Sequence, residues 1–195
     1  DRSFKKFLEF VTDQTQGPVE LILNGDIFDF DSVMTLPEVK EVEISWLEKK
    51  RGLNAEESKS RFKLSVILND HPVWIEAIRD FILKGNRVVF VIGNHDMEFH
   101  WSSVQQDLLD AINLPPERRG LFRFCEWFYI SNADTLIEHG NQYDDYCMSQ
   151  NPINPLIRKS NKVFVRLPFG NLAGRYIMNG LGLFNPHVDS SFIKS

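Results

Sequence analysis

Apolar residues recur at helical spacing from the start of the chain. Phe4, Phe7, Leu8, Phe10 and Val11 share one side, with Lys5, Lys6 and Glu9 opposite. Gln16-Gly17-Pro18 ends that helix, and Val19 to Leu23 (VELIL) reads as a short buried strand running into Asn24-Gly25-Asp26. The same unit then returns. His71-Pro72 opens a helix whose Trp74, Ile75, Ile78, Phe81 and Ile82 form an apolar face, Gly85 ends it, and Arg87 to Ile92 (RVVFVI) is a strand leading into Gly93-Asn94-His95-Asp96. A helix followed by a buried strand that ends in a Gly-led polar cluster, twice over, predicts an α/β fold. In such folds, chemistry collects beyond the carboxyl ends of the strands.

The stretch between the two clusters is longer than one helix needs. Residues 37–69 are charge-rich, with Gly52 between two predicted helices, and read as a helical insertion on the surface. Ser102-Ser103 is predicted to cap another helix, with Val104, Leu108 and Ile112 inward and Pro115-Pro116 as its stop. Trp127 to Ile130 and Thr135 to Glu138 flank Ser131-Asn132-Ala133-Asp134, a hairpin pattern that delivers His139-Gly140-Asn141. Residues 155–195 read as a peripheral or cap-like segment. Within it Arg158, Lys162 and Arg166 stand four apart, a basic stripe if helical, and the Phe164–Phe184 stretch offers either core packing or an apolar contact surface.

Composition narrows the class. With 195 residues, 43% of them hydrophobic, the chain reads as a single domain able to bury a core. Its 16 Phe imply an aromatic core or Phe at a binding surface. A net charge of −5 without a basic run argues against a stable nucleic-acid complex. Two cysteines, Cys125 and Cys147, make no disulfide framework and suit a reducing compartment. With no signal peptide and no membrane-length apolar run, a cytoplasmic location is expected.

Three clusters carry the candidate chemistry: Gly25-Asp26-Ile27-Phe28-Asp29, Gly93-Asn94-His95-Asp96 and His139-Gly140-Asn141, each directly after a predicted strand. Asp, Asn and His offer oxygen and imidazole donors, which suit Mn, Fe, Zn or Mg. Each of the first two clusters is led by a glycine, which lets the backbone turn sharply so that the next side chain enters the site. Taken singly, each residue is an ordinary turn residue; the ordered set is what points to a cation site. His71, His100 and His187 read as helix-start, packing and loop residues. There is no GxGxxG or GxxxxGK[ST] loop to support a nucleotide-binding module.

GDIFD, then GNHD, then a strand-borne HG resembles the calcineurin-like metallophosphoesterase superfamily, whose ordered motifs are DxH, GDxxD, GNH(D/E), H and GHxH. The resemblance covers the chain to about Asp145. It implies a two-sheet αββα sandwich and a dinuclear site of two divalent metal ions, in which a metal-bound hydroxide hydrolyses a phosphate ester or diphosphate bond. It makes Asp26 the bridging metal ligand, with Asn94 and His139 on the second metal. His95 becomes the catalytic histidine at the phosphoryl oxygens or leaving group, Asp29 its partner, and Asp96 a support of its loop. The implied substrate is a phosphorylated small molecule, a nucleotide or a lipid-linked phosphate, and peripheral membrane contact would go with the last. DxH and GHxH are absent. The sequence therefore reads as an incomplete metallophosphoesterase domain, the alternative being a catalytically inactive scaffold that binds proteins. HGNQYDDYC further resembles bacterial members such as the UDP-diacylglucosamine diphosphatases. Those tend to carry Arg where His95 stands, so that substrate is not assigned.

Overall fold

The computed structural model describes residues 1–38 and 42–179. Its centre is β2 (Arg87–Val91), which pairs in parallel with β1 (Glu20–Asn24) on one side and β3 (Phe122–Cys125) on the other. The unbroken apolar run of β2 follows from burial on both faces. Val88 and Phe90, with Ile92 just beyond, point toward the helices, and Val89 and Val91 point the other way, against Cys125, Ile22 and Tyr129. The helical face is covered by α1 (Arg2–Gln14), α4 (Pro72–Leu83) and α5 (Ser102–Ile112). Ile78, Phe81 and Ile82 of α4 and Val104, Leu108 and Ile112 of α5 are buried there, as their spacing predicted; Ala77 joins them, and Trp74 and Ile75 are half-buried.

The apolar stripe of α1 is narrower than its pattern. Leu8 is buried and Phe4 stacks on Trp74 at 6.3 Å, while Phe7 and Phe10 face solvent. Ser102 and Ser103 lie inside α5 and make no cap bond; Ser103 Oγ donates to Glu57 Oε1 at 2.6 Å instead. Asn113, in the left-handed region at φ 54°, closes that helix.

The predicted surface insertion does hold two helices, α2 (Trp46–Arg51) and α3 (Glu57–Asp70), and α2 begins with a capping box between Ser45 and Glu48. It is not a surface feature, however. Lys59, Ser60, Lys63 and Leu64 of α3 are buried, and α3 packs along α5. Lysines at helical spacing look solvated in a sequence; here each meets a buried carboxylate, Lys59 with Glu48 (and the half-buried Glu56) and Lys63 with Glu98.

β4 (Phe128–Ser131) and β5 (Thr135–Glu138) form the expected hairpin, turning through Asn132 and Ala133 at positive φ. Tyr129 lays it on the sheet face opposite the helices. Arg158, Lys162 and Arg166 do not make a helical stripe. Arg158 and Lys162 belong to a second hairpin, β6 (Leu156–Lys159) and β7 (Lys162–Val165), with Arg166 just past its end; the two-residue turn places Ser160 and Asn161 at φ 49° and 62°. Both central residues at positive φ give the turn that matches strand twist. A short α6 (Phe169–Ala173) follows. The α/β class thus holds. Among the described residues the strands form one three-stranded sheet and two hairpins, short of two full sheets. His187 and the end of the Phe164–Phe184 stretch lie outside those residues. No described helix is long and apolar enough to cross a membrane.

Candidate functional site

Three loops leave the carboxyl ends of β1, β2 and β5 and bring Asp26, Asn94 and His139 together. His139 Nε2 lies 3.2 Å from Asp26 Oδ2 and 3.3 Å from Asn94 Oδ1. The other ring nitrogen, Nδ1, donates to the Asn24 carbonyl at 2.7 Å. That bond commits Nδ1 to carrying a proton and turns Nε2 toward the two oxygens, the arrangement a metal-binding histidine needs. Asp26 itself sits at φ 53°, a left-handed conformation that Asp tolerates better than most residues. Gly25 is fixed by space as well as by torsion, at φ 75°, and Gly93 by space alone. A Cβ on Gly25 would fall on the His139 ring, and one on Gly93 would meet the Asp26 backbone nitrogen at 2.6 Å.

Asp96 joins the first two loops. Fully buried, it accepts from the backbone N–H of Phe28 at 2.7 Å, of Gly93 at 3.2 Å and of Ile27 at 3.4 Å. Burial pushes its carboxyl up to about 7, with the Asp26 charge adding to the rise and the amides opposing it. Beneath these loops lies an aromatic cluster. Phe99 meets Phe28 at 5.3 Å, Phe30 at 5.4 Å and Phe90 at 5.0 Å between ring centroids. Phe28 and Phe30 therefore anchor the loop on both sides of Asp29, so that Asp29 faces outward from a rigid base. Four of the 16 Phe, namely Phe28, Phe30, Phe90 and Phe99, meet in this support.

His95 is held at both ends. Its backbone N–H donates to Asp26 Oδ1 at 2.9 Å, and its Nδ1 lies 3.2 Å from Asp29 Oδ1. Asp29 in turn accepts from both the hydroxyl and the amide of Ser32, capping the single 3-10 turn Phe30–Ser32. The Asp29 contact raises the imidazole to about 9 against the opposing effect of burial, with Asp26 and Asp31 contributing from further away. Burial works to raise the carboxyls of Asp26 and Asp29, but the bonds from His139, His95 and Ser32 outweigh it and hold both below the ordinary value. His139 is raised chiefly by Asp26.

Asp29, Asp31 and His95 also present donor atoms within 4.8 Å of one another, so this flank is a second place with metal-compatible geometry. Asp31 was not singled out from the sequence, and neither was Asn171, which bonds it from α6. GDIFDFD does show an extra carboxylate two residues after Asp29. Nothing in the local sequence marks Asn171. Two other described histidines have partners elsewhere: His71, at the surface, meets the Asp1 carboxylate, and His100 sits between the Met97 and Pro152 carbonyls. Asn141 donates to the Cys147 carbonyl, away from the centre. Beside Asp29 opens a groove of about 850 Å³, with Ile27, Val33, Met34, Ile67 and Trp74 among its walls.

A family model for the calcineurin-like phosphoesterases matches residues 1–186. The chain belongs to that family, whose activity is generally metal-dependent phosphoester hydrolysis. No curated protein and no solved structure matches it significantly.

Proposed function

We propose that the protein hydrolyses a phosphate ester or diphosphate bond at two divalent cations, of which one is held by Asp26, Asn94 and His139 and shares Asp26 with the other. The observation that carries this is the meeting of three donor types: His139 Nε2 lies 3.2 Å from a carboxylate oxygen of Asp26 and 3.3 Å from the amide oxygen of Asn94, a donor set suited to a divalent cation. When bound, such cations polarise a phosphoryl oxygen and lower the pKa of a coordinated water. The chain's own residues do the rest. Asp29 keeps a proton on His95 Nδ1 and favours the imidazolium, so that Nε2 can donate to a phosphoryl oxygen or to the departing oxygen. The aromatic base limits how far either residue can move, which is where positioning gains its rate advantage. The groove beside Asp29 would take the organic part of the substrate: a small molecule, a nucleotide or a lipid-linked group.

The test is turnover of an aryl phosphomonoester, an aryl phosphodiester and a diphosphate with added Mn2+. His95→Ala is expected to cut kcat by about 10²–10⁴-fold while leaving Mn2+ affinity near wild type. Asp26→Ala is expected to abolish both. Absence of turnover on all three substrates, or equal turnover by His95→Ala, overturns the reading.

A further inference from the structure

We propose that Asn171 is a positioning residue that sets which end of the Asn94 amide faces the cation. An amide has two ends of nearly equal size and opposite polarity, and only the oxygen can hold a cation. Asn94 Nδ2 donates to Asn171 Oδ1 at 3.3 Å, which leaves Asn94 Oδ1 turned toward His139. Asn171 cannot turn over to accommodate the opposite arrangement. Its own Nδ2 donates to Asp31 Oδ2 at 2.8 Å and to the Asn94 carbonyl at 2.9 Å, so a flip would set its oxygen against a carboxylate and a carbonyl. A buried anion thus fixes one amide, and that amide fixes the next. Asn171 is 2% and Asn94 6% exposed, so solvent is largely shut out of the competition for these bonds. The chain of bonds joins α6, some seventy residues beyond the second motif, to the two strand-end loops. That gives the segment after the last recognisable motif a role in the centre.

This inference rests on Asn94 giving its oxygen to a cation, and the experiment separates the two. Mn2+ affinity is measured by titration calorimetry for the wild type, Asn94→Ala and Asn171→Leu, with melting of each metal-free protein recorded alongside. Asn94→Ala and Asn171→Leu are both expected to bind more weakly, the latter by about 10–100-fold. Wild-type affinity in Asn94→Ala overturns the assignment of the ligand and the inference with it. A weakened Asn94→Ala beside a folded Asn171→Leu of wild-type affinity overturns the inference alone. The wild type supplies the reading even if Asn171→Leu fails to fold, because side-chain amide hydrogen exchange is followed by NMR with and without Mg2+. The Asn94 NH2 is expected to stay protected in both states, far slower than the exposed Asn69, while its carbonyl carbon shifts on adding Mg2+. Exchange as fast as Asn69, or loss of protection when Mg2+ is added, overturns the proposal. A merely structural Asn171 would not predict that pairing of a fixed NH2 with a shifted carbonyl.

Discussion

Carboxylates gather in two parts of this molecule on opposite terms. Between α2 and α3, Lys59 reaches Glu48 at 2.6 Å and Glu56 at 2.8 Å, and Lys63 pairs with Glu98 where both side chains are 1% exposed. At the strand ends, the carboxylates of Asp26, Asp29, Asp31 and Asp96 face two imidazoles, His95 and His139. Among the described residues none of those four is paired with Lys or Arg. The helical network is complete as it stands. The strand-end site stays short of positive charge even with both imidazoles protonated, and a divalent cation is what would supply it. Lysine neutralises the buried Glu48 and Glu98, whereas the buried Asp31 and Asp96 and the solvent-facing Asp26 and Asp29 have no such partner among the described residues.

The largest effect should come from unbalancing the complete network. Lys63→Met strands Glu98 without a counter-charge, and burial already pushes that carboxyl up. A loss of about 3–5 kcal/mol is expected, read by urea denaturation. Replacing both partners, Lys63→Met with Glu98→Leu, should recover most of it. Asp26→Asn, by contrast, should leave the metal-free protein within about 1 kcal/mol of wild type, because its side chain is 36% exposed and the change strands no buried charge. If Asp26→Asn proved the more destabilising of the two, the contrast between the regions would be lost.

Acid sharpens it next. Glu48 is held at about 2: burial opposes this, but Lys59, Ser45 and the Asn54 amide favour the carboxylate. A depressed carboxyl contributes in full above the unfolded value near 4.5, and its contribution falls away as pH drops through about 2. Roughly 3 kcal/mol should vanish across that window. Glu48→Gln should flatten the slope of stability against pH there, and an unchanged slope would remove Glu48 from the network. At the strand ends the matching experiment is cation addition. Mn2+ at a hundred times its dissociation constant should stabilise the wild type by about 2.7 kcal/mol and Asp26→Asn hardly at all.

How much of this was readable in advance depends on the range of the interactions. The α4 and β2 units follow from local periodicity, and the three motif loops from their place after strands, so Asp26, Asn94, His95 and His139 could be nominated together. The Asp29–His95 contact came from the family resemblance, since sixty-six residues separate the pair. What escaped has no local signature. Lys59 and Lys63 look like a solvated face until a distant Glu98 buries one of them, and Asn171 matters through Asp31, 140 residues away. The β6–β7 hairpin was obscured by coincidence: Arg158 and Lys162 stand four apart on a helix and equally well straddle a two-residue turn.

That hairpin provides the smallest predicted effect, and it bears on the main contrast. Lys162 Nζ lies 3.1 Å from Glu43 Oε2 and 3.6 Å from Glu56 Oε2, with its side chain 41% exposed. Glu56 is the same carboxylate that receives Lys59 on its buried side, so Lys162 is the outermost lysine of the complete network. If burial rather than mere proximity gives these pairs their value, Lys162→Ala should cost no more than about 0.5 kcal/mol, and that little should fade in high salt. Glu56 keeps Lys59 as its partner after the change, so no charge is left stranded. A salt-resistant loss several times larger would show that Lys162 belongs to the buried balance, and that the network extends to the hairpin instead of ending at α3.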